Sequence, residues 1–219
     1  MSEHYLLISM LIGILAMVPF FVKFEGRKPQ ARELVLLAVL IATAVVGRAA
    51  FFMIPNFKPI LAIVIISGVA LGKESGFLVG AMSAFVSNFL FGQGPWTPFQ
   101  MVAMAACGFL AGLLFQRYYA KADSFSGRRK LPLVAYGGIS VFFLYGAIVD
   151  IWTILAMTSQ PTLSTVVTVY GAALYFNLVH AGATVLFLLI LAGPMLKKIR
   201  RVQIKYGMKT GNEKSVDKL

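Results

Sequence analysis

Hydrophobic positions along this chain gather into seven long runs, at about 5–22, 34–54, 59–72, 75–92, 99–117, 131–157 and 171–196. Short stretches rich in glycine, proline, amides or cations separate them. Most of the runs approach the ~20 apolar residues that a helix needs to cross a bilayer. The pattern predicts an all-α polytopic membrane protein: a six-helix core preceded by one extra N-terminal transmembrane helix. The third run, PILAIVIISGVALG, reaches only about 21 Å at 1.5 Å per residue, which predicts a helix buried inside the bundle. Small residues recur every four positions, as Gly76, Gly80 and Ala84, as Gly108 and Gly112, and as Ala38 and Ala42. That spacing lets helix backbones approach closely in lipid, and packing within the bundle is its plainest reading.

Composition agrees with the pattern. The chain is 59% hydrophobic and 13% charged, too little polar surface for a soluble domain of 219 residues. The net charge of +12 would point to nucleic acid in a soluble protein, but its placement excludes that partner. Of the 20 Lys and Arg, 18 fall at 23–32, at Lys73, at 117–130 and at 197–218. Alternate loops are thus basic, as the positive-inside rule requires. The first run lacks a basic leader and a small-residue cleavage site, so it reads as an anchor with its N-terminus outside. PNFKP, FGQGPWTPFQ and TSQPTLST then face outward, and the C-terminus is cytoplasmic. Three parts follow: residues 1–30 as the extra helix and linker, 31–198 as the membrane core, and 199–219 as a basic cytoplasmic tail. Beyond about Lys197 the chain is expected to be solvated and loosely ordered, with its cations drawn to anionic membrane lipid.

Ionisable groups inside membrane helices mark function by default. Arg48 lies in the outer part of the second run and Asp150 in the outer part of the sixth. They could pair with each other, bind a ligand, or do both. The last run carries Tyr170, Asn177, His180 and Thr184 at helical spacing on one face. Asn88 sits one turn before Gln93, and the outer loops add Asn56, Lys58, Trp96, Thr97, Gln100 and Gln160. Polar, amide and aromatic groups converging at one depth predict a ligand cavity open to the outside. Its expected substrate-binding residues are Arg48, Asn56, Lys58, Asn88, Gln93, Trp96, Gln100, Asp150, Tyr170, Asn177 and His180.

Catalytic patterns do not appear. No paired-carboxylate, HExxH or Gly-x-Ser-x-Gly arrangement is present, and the single Cys107 builds no metal cluster. SGVALGKES departs from a phosphate loop in its glycine spacing and in having Glu74 where Ser or Thr is needed. The chain is read as a non-enzyme with no cofactor or metal of its own. A self-sufficient transporter coupled to protons through Asp150 and His180 is the rival reading.

The stretches ARELVLLAVLIATAVVGRAAF, NFKPILAIVIISGVALGKESGFLVGAMSAFVSNFLFGQGPWTPFQM and GFLAGLLF resemble the substrate-binding S components of energy-coupling factor (ECF) transporters. The likeness covers about residues 32–198 and looks most like the cobalamin-type branch. It implies a multi-pass protein of the bacterial plasma membrane that captures a vitamin outside the cell. It also implies partners: a transmembrane coupling subunit and two cytoplasmic ATPases, which use the ATP. The family's docking signature, Ala-x-x-x-Ala on the first core helix, falls on Ala38 and Ala42. Cobalamin or a related corrinoid is the first expected ligand, with a queuosine precursor as another.

Overall fold

The computed structural model describes residues 29–120, 127–158 and 160–208, with isolated helical positions between 11 and 26. The described core is helical throughout. Helix α1 (Ala31–Ala50) leads through a short loop to α2 (Ile60–Leu71), and a tight turn at Gly72 joins α3 (Lys73–Phe91). Helix α4 (Thr97–Ala120) follows the loop 92–96. The fifth span holds α5 (Leu131–Ile139), a π-helical turn (Ser140–Tyr145) and α6 (Gly146–Met157). Helix α7 (Leu163–Lys205) is the last described helix. Five of these segments are long and apolar enough to cross a membrane, and α2 is the shorter apolar helix.

Helix α2 is where the short third run predicted it. Every residue from Ile60 to Ala70 is buried, because at 12 residues it spans only about 18 Å and must be enclosed by its neighbours. Helices α3 and α4 pack on it and on each other most extensively. Glycine makes that possible. A Cβ added at Gly108 would lie 2.3 Å from the Gly76 carbonyl oxygen, and one at Gly76 would lie 2.4 Å from that of Gly108. The two backbones touch, as small-residue spacing in a membrane helix permits. The N-terminal segment joins this knot, since Met17 packs with Phe77, Ala81 and Ala105.

Ala38 and Ala42 behave differently. Both are exposed, on a face of α1 that also presents Val35, Val39 and Val46 outward. Their small side chains are not enclosed by the described residues.

The final helix extends past the boundaries read from hydropathy. It begins at Leu163 and holds through Lys205, with Ile199 and Gln203 buried, so the chain does not loosen at Lys197. Its 43 residues run about 64 Å, twice the ~30 Å of bilayer hydrocarbon. Hydropathy stops at the cations, whereas the helix is carried on by tertiary ties. Gln203 Nε2 donates to the Ala70 carbonyl (3.2 Å), Tyr119 Oη to that of Leu196 (2.7 Å), and Arg32 to that of Tyr206. These ties gather the basic segments at one end of the bundle.

Candidate functional site

The opposite, outer end collects the polar groups. Arg48, in the last turn of α1, reaches α3 rather than Asp150. Its Nη1 donates to Ser87 Oγ (2.5 Å) and to Asn88 Oδ1 (2.8 Å). Asn88 is fully buried and donates in turn to Thr97 Oγ1 (3.0 Å) and Gln100 Oε1 (2.9 Å). Thr97 donates to Gln93 Oε1 (2.9 Å), and Gln93 Nε2 donates to the Phe85 carbonyl (3.0 Å). Four expected site residues, Arg48, Asn88, Gln93 and Gln100, are thus joined in one network across α1, α3, α4 and their loop.

The loop itself bends at Gly92, whose φ of +109° suits glycine. Beyond it the Trp96 ring packs beside Gly94, so closely that a Cβ there would sit 2.2 Å from the indole. Trp96 and Phe99 both face Trp152 of α6, with ring centroids 6.3 and 6.0 Å away. An aromatic wall therefore links the loop to the fifth span.

Asp150 lies across the bundle from this network and accepts a hydrogen bond from Asn177 Nδ2 at 2.8 Å. The close approach of Gly146 makes room for it, since a Cβ at Gly146 would lie 2.8 Å from the Asn177 amide. The π-helical turn just before Gly146 sets this register. One extra residue in a helix rotates all that follows by about 100°, and Asp150, beyond the turn, meets Asn177 of α7. Tyr170 Oη donates to the Ala147 carbonyl (3.1 Å), a second α7–α6 tie.

The polar stripe of α7 continues inward as the spacing predicted. His180 is 6% exposed, its ring edge-on to Tyr145 at 4.9 Å, and its Nε2 has no hydrogen-bond partner. Lys58 and Arg48 both lie within electrostatic reach of His180, as Arg48 and Asp150 do of Tyr145. Lys58, in the α1–α2 loop, makes no ion pair or hydrogen bond among the described residues. Partial burial, and then the Arg48 charge beside it, hold its pKa below the ordinary 10.5. Asn56 serves the backbone, taking the left-handed conformation (φ 54°) that Asn tolerates. Gln160 stays exposed in its own turn, its backbone N–H donating to Thr158 Oγ1 (3.2 Å), and does not join the site.

One of the alternatives left open closes. Arg48 and Asp150 do not neutralise each other; each finds neutral partners on a different helix pair. Sequence reading also missed Ser87, Tyr145 and Trp152. Ser87 carried a signal, being next to Asn88 in the same turn. Tyr145 and Trp152 were hidden within an apolar run, and only their ring contacts with His180 and with Trp96 reveal them. Among the described residues no group of His, Cys, Asp or Glu is arranged to hold a metal ion.

The family model for the S component of ECF-type riboflavin transporters matches residues 28–200, most of the chain and all six core helices. No curated protein and no solved structure matches. The matching model carries the riboflavin name, not that of the cobalamin-type branch. A match of that extent, on a membrane bundle of this form, settles the family: the chain belongs to the S components of ECF-type riboflavin transporters, the substrate-binding subunits of multi-pass membrane importers.

Proposed function

We propose that this S component binds riboflavin at its outer end and delivers it through a coupling subunit and two ATPases. The match to the riboflavin family over residues 28–200 is the observation that carries the choice of vitamin. The chemistry of the outer end supports it. Trp96, Phe99 and Trp152 form a wall against which a flat conjugated ring system can stack. Lys58, the Asp150 carboxylate and His180 Nε2 supply polar atoms for carbonyl and hydroxyl groups of the ligand. A corrinoid has less need of a stacking wall, and cobalamin moves to second place. The exposed Ala38 and Ala42 support docking of the coupling subunit on α1, because a smooth face admits a close helix partner.

The test is a thermal-shift and binding screen of the purified protein with riboflavin, cobalamin and other vitamins. Riboflavin alone should stabilise it, at nanomolar concentration. A response to cobalamin alone would replace the substrate. Uptake into liposomes without ATPase subunits, abolished by collapsing the proton gradient, would overturn the importer reading. Leu in place of Ala38 or Ala42 should stop uptake in the full complex while leaving riboflavin binding unchanged.

A further inference from the structure

Arg48 is a cation in a membrane helix with no carboxylate partner among the described residues, a costly placement for a residue that only packs. Its contacts fall on one turn. Besides Ser87 and Asn88, the guanidinium lies 5.0 Å from the centre of the Phe91 ring. That turn is the last of α3 before the loop 92–96 opens at Gly92.

From there the hydrogen bonds run in a single sense. Arg48 donates to Asn88, Asn88 to Thr97, Thr97 to Gln93, and Gln93 to the Phe85 carbonyl. The Gly94 amide joins at Thr97 Oγ1 (3.3 Å). The chain starts on α1, encloses the loop and returns to α3. A guanidinium can only donate. Asn88 must therefore turn its oxygen to Arg48 and its amine to Thr97, which leaves the Thr97 proton for Gln93. Reversing any amide would set donor against donor or leave a buried group without a partner. Both Asn88 donors are used within the protein, so Asn88 shapes the site instead of touching the ligand.

We propose that Arg48 is a positioning residue: it fixes the sense of this hydrogen-bond chain, holds loop 92–96 with Trp96 closed, and so sets how fast the vitamin leaves. The last clause rests on the vitamin-site reading above; the first two stand on the ligand-free protein.

The experiment compares wild type with Arg48→Met, Arg48→Lys and Asn88→Asp by hydrogen exchange of Gly92–Thr97, by melting, and by riboflavin release. Arg48→Met should speed exchange in the loop, and riboflavin release, by about tenfold, the effect of losing the one of its two hydrogen bonds that leads to the loop through Asn88. Arg48→Lys should restore most of the protection, because a single nitrogen of Arg48 makes both bonds. Asn88→Asp keeps the Arg48 contact as an ion pair yet loses both donors. It should open the loop as Arg48→Met does while melting no lower than that variant. Unchanged loop exchange in Arg48→Met and Asn88→Asp would overturn the proposal, as would a folded Arg48→Lys as open as Arg48→Met. Wild type that fails to bind riboflavin would overturn the substrate reading and the release clause, and loop exchange would still decide the positioning role.

Discussion

The outer end of the bundle has two flanks built on opposite terms. On the flank of α1, α3 and α4, Asn88 and Ser87 are fully buried, Thr97 is 5% exposed, and all three make side-chain hydrogen bonds. On the flank of the α1–α2 loop, α6 and α7, Lys58 has no partner among the described residues, Asp150 has Asn177, and His180 Nε2 has none. The first flank is a closed circuit. On the second, His180 Nε2 is held out of water without a hydrogen-bond partner, which costs folding free energy and fits the proposed ligand site. The contrast assigns roles that side-chain type alone could not. In the proposed site, an arginine and an asparagine, the most conspicuous polar groups, would hold the wall, and a lysine and a histidine would be left for the ligand.

Substitutions can break that contrast. The largest effect on stability is expected at Asn88→Ala, which strands the Arg48 guanidinium and leaves Thr97 and Gln100 without their donor. A loss of about 3 kcal/mol should appear in denaturant or thermal unfolding, and a loss near zero would dissolve the distinction between the flanks. Next comes Gly94→Ala. The added Cβ has to displace the Trp96 ring, which is half-buried and able to swing away. Riboflavin affinity should fall about tenfold, as expected for losing an aromatic contact of roughly 1–1.5 kcal/mol, with melting little changed and tryptophan fluorescence shifted.

The open flank should respond in the opposite way. His180→Phe keeps a ring against Tyr145 and removes the orphaned nitrogen, so the ligand-free protein should melt no lower, while riboflavin binding weakens about tenfold for a lost hydrogen bond. A drop in melting with unchanged affinity would make His180 a packing residue. The smallest effect is expected at Lys58→Met. In the folded protein the charged form of Lys58 is disfavoured, so protonation there opposes folding. Relative to wild type, Lys58→Met should be slightly stabilised below the depressed pKa. That advantage should shrink as pH rises and vanish above the ordinary lysine value of 10.5. Melting measured across that range checks the sign, and an advantage that grows with pH would contradict it.

Much of the outer site was legible because membrane helices make polar residues conspicuous. Arg48, Asp150, Asn88 and the stripe Tyr170–Asn177–His180 stand out from apolar neighbours, and helical spacing puts the stripe on one face. Their partners were not legible. An arginine and an aspartate at similar depth in two membrane spans suggest an ion pair, but hydropathy gives depth and not azimuth. A π turn at Ser140–Tyr145 leaves no compositional mark, yet it shifts the register of everything beyond it, Asp150 included.

Sequence by itself determined the order of the six apolar core spans, the basic end, the burial of Ile60–Ala70 and the glycine contacts; the extra N-terminal helix it also predicted lies largely outside the described residues. These follow from hydrophobic length, charge and side-chain volume, which are local properties of the chain. The tertiary structure decided which polar atoms satisfy one another, that Ala38 and Ala42 face outward, and that α7 continues to Lys205. Each of those depends on the rotation of one helix against another, which packing sets and composition does not encode.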